Sequence, residues 1–423
     1  MDLSTIIPVI IILLALLFLN IPIYLSLLAC AIYMTLFINH MPLQNLVSGM
    51  FEGVTKTSLL AIPFFLVAGS TLAEGSLGDR LVNVFKAFLS RRTSGLAMAC
   101  LGANAIFGAI SGSPPAATAT FGKIMYKPLG EQYDVNLATG VIVCAASLSA
   151  IIPPSVPLII YGIVAETSIA KLFLAGITPG IIIVAIIAVY LFFVTQKYKV
   201  NLAGVSRAGK LSAVRKGLPV IILPVFVLGG IYGGLMTPVE AGAMAAVYAL
   251  VVSVVVLREM NMAKFLSVMK DGAKTSVQVL ILVACSSVFA QQLTITQAPA
   301  MLTKSFVLMS PIAFLLLTNV LFLIVGCFID SISGILIFVP LLLPAATSFG
   351  IDPIHFGVIV VVNFSLGMFT PPFGLNLFVA QGVFGRSIWS ISRSVVPYVI
   401  IYLIGLFITT YIPSVAMAFP NMM

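Results

Sequence analysis

The sequence predicts an all-α protein that crosses a membrane many times and is built from two copies of one unit. Three observations carry this. Of 423 residues, 61% are hydrophobic and only 8% charged, against roughly 25% charged in a soluble domain. The apolar runs break at Pro, Gly and charge at lengths near the thickness of a bilayer. The second half repeats the uncommon punctuation of the first half in register. The outer shell of a soluble protein must be polar. The composition therefore excludes a soluble enzyme, a nucleic-acid-binding module and a disordered chain. At roughly 20 residues per span, the apolar content sets a ceiling of about 13 spans.

In chain order, spans are expected near 6–18, 21–38, 59–72, 97–109, 135–152 and 172–195 in the first half. In the second they are expected near 218–231, 239–257, 276–291, 311–329, 354–370 and 388–411. The first is read as a retained span and not a cleaved signal, because Met1–Thr5 has an acid and no basic region. Between the halves, residues 197–216 carry Lys197, Lys199, Arg207, Lys210, Arg215 and Lys216 with no acid. This loop places its side of the membrane in the cytoplasm. The net charge of +9 is thus spent on orientation and not on nucleic acid.

The repeat is read by sliding the second half onto the first by 218 residues. Gly108 falls on Gly326, Ser113 on Ser331, Asp134 on Asp352, Ser147 on Ser365 and Pro179 on Pro397. Pro153-Pro154 falls on Pro371-Pro372. Thr57-Ser58 falls on Thr275-Ser276 in the same register, and upstream of it the register slips by one, with Glu52-Gly53 on Asp271-Gly272. A duplicated membrane fold with interruptions at matching places is the pattern of a secondary transporter. An odd number of spans per half inverts the second copy, and an even number gives a parallel duplication. The spans alone leave both open. Stretches 42–56 and 262–274 hold apolar residues at helical spacing among charges, and are expected to lie in the interface plane as paired arms.

Backbone at membrane depth must be satisfied internally unless it lines a cavity or is buried in protein, so interruptions there are informative. Gly108 to Gly122 cannot form one continuous span and is expected to be a hairpin, its tip at Ser111-Gly112-Ser113-Pro114-Pro115. Ile152-Pro153-Pro154-Ser155 ends one apolar run and opens another, and its prolines withdraw N–H donors. The partners in the second half are Gly326 to Gly334, containing Asp330, Ser331 and Ser333, and Thr370-Pro371-Pro372-Phe373-Gly374. Uncharged oxygen-rich breaks of this kind suit Na⁺. The expected Na⁺ ligands are Ser111, Gly112, Ser113, Pro153, Pro154, Ser155, Asp330, Ser333, Thr370, Pro371 and Gly374. At least two Na⁺ are expected, one per repeat. Ser111, Ser113, Asp330 and Ser331 are the expected solute contacts.

Asp330 is the most distinctive of these, since a carboxylate between apolar runs is costly unless it binds a cation or pairs. The plainer reading is a helix N-cap. Thr237-Pro238-Val239-Glu240 reads as the capped start of a helix. Cys30, Cys100, Cys144, Cys285 and Cys327 read as buried small hydrophobes, and His40 and His355 as interfacial residues at span ends. No phosphate-binding loop, HExxH, CxxC cluster or GxSxG is present, so neither direct ATP use nor an enzyme is expected. A passive pore or an anchoring scaffold would share the duplication, but a scaffold has no use for broken helices at membrane depth.

The stretches PFFLVAG from Pro63, FGAISGS from Phe107, IPPS from Ile152, TPVEA from Thr237, Gly326 to Asp330 and TPPFG from Thr370 occur in this order. In them the sequence resembles the large membrane subunit of the tripartite ATP-independent periplasmic (TRAP) transporters. The resemblance implies an elevator fold of two inverted repeats, with a scaffold and a transport domain whose two re-entrant hairpins face two broken helices. On that plan residues 1–58 and 218–275 supply scaffold and arms. Residues 59–195 and 276–423 supply the halves of the transport domain, and 196–217 the connecting loop. It implies Na⁺-coupled uptake of a carboxylate across the bacterial inner membrane, with sialic acid the first expectation and a dicarboxylate or other organic acid the alternative. It also implies two partners: a periplasmic substrate-binding protein, and a small four-helix membrane subunit expected as a separate chain. At the first tip the family often reads GSSxAD, where this sequence reads GSPPAAT. Ala117 stands where that Asp is common, which leaves Ser111, Ser113 and backbone carbonyls to coordinate there.

Overall fold

Each half of the chain runs through the same series of helices, offset by close to 218 residues. The computed structural model describes residues 7–19, 21–200, 206–306 and 309–422. The first half contains α1 (Ile7–Phe18), α2 (Ile23–Tyr33), α3 (Gln44–Val54), α4 (Ala61–Glu74) and α5 (Leu77–Leu89). It continues with α6 (Gly95–Ser111), α7 (Pro114–Gln132), α8 (Val135–Ser147), α9 (Val156–Val164) and α10 (Ile169–Thr195). The second contains α11 (Arg207–Tyr232), α12 (Pro238–Val251), α13 (Met262–Ile295), α14 (Ala298–Phe306) and α15 (Pro311–Gly326). It ends with α16 (Ser331–Ser348), α17 (Pro353–Gly367), α18 (Leu375–Phe384), α19 (Ile388–Tyr411) and the short α20 (Pro413–Met417). No strand occurs among the described residues, and seven of their helices are long and apolar enough to cross a membrane. The protein is a multi-pass membrane protein.

The correspondence reaches small details. A π-helical turn ends α2 at Met34–Ile38, and another ends α12 at Val252–Val256. Asp134 and Asp352 cap α8 and α17 by accepting backbone N–H groups, Asn136 at 2.6 Å and Ile354 at 2.7 Å. Both Pro153-Pro154 and Pro371-Pro372 are cis.

Hydrogen bonds between helices settle the relative direction of the repeats. Arg386, just before α19, donates to Val135 and Asn136 at the start of α8, and Tyr402 farther along α19 donates to the Cys144 carbonyl farther along α8. Helices α8 and α19 therefore run parallel. His355 at the start of α17 meets the Thr409 carbonyl near the end of α19 at 2.8 Å, so α17 and α19 run antiparallel. The equivalent helices α8 and α17 are thus opposed. They meet at their C-terminal ends, where the Ser365 hydroxyl donates to the Ser147 carbonyl at 2.7 Å. The second copy is inverted. Nearly all of α8 and α17 is buried, and the pair forms the centre of the core.

Three expectations need correction. The basic segment 197–216 is not a loop throughout. Its residues 201–205 lie outside the described residues, as does Ile6 of the first expected span. Ser206 then caps α11 by accepting Gly209 N–H at 3.1 Å, so Arg207, Lys210, Arg215 and Lys216 ride on a helix. The expected arm 262–274 and span 276–291 are one unbroken helix of 34 residues, α13. The first repeat is broken at the same place, where Lys56 is extended between α3 and the turn that starts at Thr57. Its counterpart, Lys274, continues the helix. Finally, His355 is buried, not interfacial, because its ring closes the contact between α17 and α19.

The arm α3 packs on α13 through small residues. A Cβ at Gly49 would meet Gln291 Oε1 at 2.5 Å, and one at Gly53 would meet Ser287 Oγ at 2.4 Å. Its other face leaves Val47 and Phe51 exposed, as an interfacial helix requires.

Candidate functional site

Two hairpins and two breaks meet in pairs. In the first, α6 ends at Ser111, and Gly112 turns the chain in the left-handed region at φ 57°. Gly can occupy that region without penalty. Ser113 then caps α7, its hydroxyl accepting Ala116 N–H at 3.4 Å, with Pro114 at the first helical position. This tip lies directly on the first break. A Cβ at Gly108 would meet Ser149 Cα at 2.8 Å, and one at Gly112 would meet the Val156 backbone nitrogen at 3.1 Å. On its other side the tip touches α4, where a Cβ at Gly69 would meet Ser111 Cα at 2.9 Å.

Across the break, Pro153 and Pro154 provide no N–H for the carbonyls of Ser149 and Ala150. Ser155, fully buried, donates to the Ala150 carbonyl and caps α9 by accepting Leu158 N–H at 3.5 Å.

The second pair repeats this with different side chains. Asp330 caps α16, its carboxylate accepting Ile332 N–H at 2.9 Å, Ser333 N–H at 3.3 Å and the Ser333 hydroxyl. The N-cap reading of Asp330 is therefore realised, and the half-buried carboxylate stays next to the break. A Cβ at Gly367 would meet Gly326 carbon atoms at 2.6 Å, so α15 and α17 touch backbone to backbone. The Ser331 hydroxyl contacts Met368 sulfur at 3.2 Å, and the Cys327 thiol lies 3.9 Å from the Pro371 carbonyl. Thr370 donates to the Leu366 carbonyl at 2.7 Å. A Cβ at Gly374 would meet the Met368 carbonyl at 2.5 Å, and that carbonyl accepts Asn376 N–H at 2.8 Å.

The expected residues thus fall into two clusters. Ser111, Gly112 and Ser113 face Pro153, Pro154 and Ser155. Asp330, Ser331 and Ser333 form the tip that reaches the second break through Ser331 on Met368 and Cys327 on Pro371. No hydrogen bond joins the two tips directly among the described residues. The clusters are joined by a buried polar seam between α8, α17 and α18. Asn376 donates to the Ser147 hydroxyl at 2.9 Å, and Ser365 donates to the Ser147 carbonyl. Asn376 is fully buried, and its Oδ1 has no partner in the protein. The Oδ1 of Asn104 on α6 and the Oγ1 of Thr118 on α7 are likewise unpartnered. Buried acceptors without a donor are costly; Asn104 and Thr118 lie on the two helices of the first hairpin, and Asn376 follows the second break.

Asn376 is not among the expected residues, although a lone amide four residues after Pro371-Pro372 is a signal the sequence offers. Ala117, in place of the Asp common in the family, is fully buried and supplies no ligand. Thr237 and Glu240 form a reciprocal capping box at the exposed start of α12, away from both clusters. All five cysteines are buried and free.

A cleft of about 460 Å³ separates the arm side, with Glu52, Gly53, Ser287 and Gln291, from Leu336 and Pro340 of α16. At its mouth Lys56 and Glu166 form an exposed ion pair at 3.0 Å.

A protein-family model described as "Tripartite ATP-independent periplasmic transporter, DctM component" matches residues 10–415. The C4-dicarboxylate TRAP transporter large permease protein DctM of Pseudomonas aeruginosa is 37% identical over 382 residues, covering 89% of this chain and 90% of the relative. The sialic acid TRAP transporter large permease protein SiaM of Vibrio cholerae is 32% identical over 413 residues, covering 97% of each chain. The isethionate TRAP transporter permease protein DctMQ of Oleidesulfovibrio alaskensis is 36% identical over 384 residues. That match covers 90% of this chain but only 60% of the relative. In fold, the chain is similar to the crystal structure of the YdaH transporter of Alcanivorax borkumensis, with a TM-score of 0.62 over 89% of this chain and 88% of that one, at 17% identity.

Proposed function

The chain belongs to the DctM-component family of tripartite ATP-independent periplasmic transporters, and from that premise we propose that it is a Na⁺-driven elevator subunit for uptake of a small organic anion. One Na⁺ binds between each hairpin tip and its facing break. The solute binds between the tips, its acidic group near Ser111, Ser113 and Ser331 and the bound cations, with Asp330 beside the second Na⁺. Asn376 adds its free amide oxygen to this pocket. Filling the sites closes the tips on the breaks and lets the hairpin body slide along the cleft beside the arms. The single observation that carries this reading is the inverted pair of tip-and-break contacts, joined through Ser147, Ser365 and Asn376. Inverted sites at one midplane support alternating access.

The inner membrane of a bacterium is the setting. A small membrane subunit and a periplasmic binding protein are the partners. On the solute, the relatives named above divide among C4-dicarboxylate, sialic acid and isethionate. The chemistry these solutes share is a small organic anion, with sialic acid the first candidate for this chain.

The test is uptake into proteoliposomes holding this chain and its small subunit, with the cognate binding protein and an inward Na⁺ gradient. A labelled panel of sialic acid, C4-dicarboxylates and isethionate decides the solute. Uptake of one of them that requires both the gradient and the binding protein is the expected result. Flux indifferent to both would favour a passive pore.

A further inference from the structure

A polar cavity lies far from the hairpin tips, where the starts of α8 and α19 meet the end of α10. It encloses about 610 Å³. Lys197, Arg386 and Arg393 line it, with Asp134 as the one acid. None of the three cations forms an ion pair among the described residues. Asp134 is already occupied: it accepts the Tyr198 hydroxyl and two backbone N–H groups. Arg386 forms the floor, held by the Val135 carbonyl and by Asn136, Thr139 and Ser390. Two aromatic rings carry the other cations: Lys197 sits 4.9 Å from the Tyr198 ring, and Arg393 sits 5.1 Å from the Trp389 ring. Trp389 is the only Trp in the chain, and it is 68% exposed.

An excess of two positive charges beside an exposed Trp is the composition of a membrane-interface anion site. The helices below it decide what kind of anion. Val189, Phe192 and Phe193 on α10, and Val396 and Ile400 on α19, are exposed apolar residues within two to three turns of the cavity. A free anion has no use for that wall, whereas acyl chains do.

We propose that this cavity binds the phosphate headgroup of an anionic phospholipid, with its chains against the exposed apolar faces of α10 and α19. The cavity adjoins the basic segment that begins at Lys197, so the lipid belongs to the cytoplasmic leaflet. This site is independent of the Na⁺ and solute reading. It would hold the hairpin body to the leaflet on one side and couple its position to lipid composition.

Native mass spectrometry of the full chain in detergent, supplemented with phosphatidylglycerol or phosphatidylcholine, tests it. Wild type is expected to retain phosphatidylglycerol in preference. The pair K197Q/R393Q is expected to weaken retention roughly thirtyfold, since each cation near a membrane surface contributes about fivefold. The control pair K123Q/K127Q, exposed on α7, is expected to leave retention unchanged. It separates loss of this site from loss of overall charge, and thermal unfolding of each variant reports whether the fold is intact. Equal retention of the two lipids, or unchanged retention by folded K197Q/R393Q, would overturn the proposal. Retention of inorganic phosphate added at millimolar concentration, with no phospholipid bound, would assign the cavity to a free anion and overturn it as well.

Discussion

Replacing Gly367 with Ala should pull the second hairpin off its break. The added Cβ would lie 2.6 Å from both the Cα and the carbonyl carbon of Gly326 and 2.9 Å from its oxygen. Carbon atoms rest near 3.5–4.0 Å, so the backbones of α15 and α17 must separate by roughly 1 Å. Neither partner is a flexible side-chain tip that can swing aside. Overpacking of this kind costs about 1–3 kcal/mol. If that strain falls on the closed state, solute-dependent closure weakens by roughly 5- to 150-fold. Uptake in proteoliposomes and thermal unfolding in detergent are the two readouts. The matched control is Gly382→Ala on α18, where nothing lies within 4 Å of the added methyl. There the better helix propensity of Ala should stabilise by about 0.5–1 kcal/mol. Wild-type uptake from Gly367→Ala would refute the claim that close approach of tip and break matters for transport.

Other substitutions separate structure from function. Asp330→Asn keeps a good N-cap for α16 but removes the charge, so stability should hold while Na⁺-dependent uptake falls; Asp330→Ala should lose both, with the cap worth about 1 kcal/mol. Asn376→Leu installs the residue found at the equivalent Leu158 and removes a buried unpartnered oxygen. Thermal stability should be unchanged or higher and uptake lower, and full uptake would exclude Asn376 from the pocket. Glu259 gives a pH prediction outside the spans. Burial acts to raise its pKa, but hydrogen bonds from Ser76 and Arg80 and the charge of Arg80 outweigh burial and hold the carboxyl below its usual range. A depressed carboxyl stabilises above its unfolded pKa of about 4.3 and loses that contribution as pH falls through the lower folded value. Glu259→Gln should cost about 1–2 kcal/mol at pH 7 and flatten the loss of stability in acid, read from melting curves at pH 7 and pH 4.

Much of this fold was legible because rare residues recur at one spacing. Pro153-Pro154 and Pro371-Pro372, Asp134 and Asp352, and Ser147 and Ser365 occupy equivalent places in the structure. The inversion was not legible, because parity depends on short helices that hydropathy misses. Helix α5 carries Asp79, Arg80 and Lys86 on an amphipathic surface, while α9 and α18 are only 9 and 10 residues long. The merger of arm and span in α13 was not legible, because the equivalent residues Lys56 and Lys274 are the same type, one extended and the other helical.

The site was legible as segments but not as partners. The hairpin tips follow from Gly, Ser and Pro at membrane depth, yet only coordinates bring Gly108 to Ser149 and Gly326 to Gly367. Asn376 and His355 were underread for one reason: a polar residue in an apolar run has no meaning until its partner from another helix is known.

The central claim is that the paired tips and breaks bind Na⁺. Equilibrium binding of radioactive sodium to the purified protein tests it directly, comparing wild type with Ser113→Ala and Asp330→Asn. The account predicts saturable binding by wild type, with each variant folded and losing one of the two sites; Asp330→Asn should melt like wild type, and Ser113→Ala somewhat lower because it loses the α7 cap. Undiminished binding by both folded variants, or no saturable binding by wild type, would contradict it.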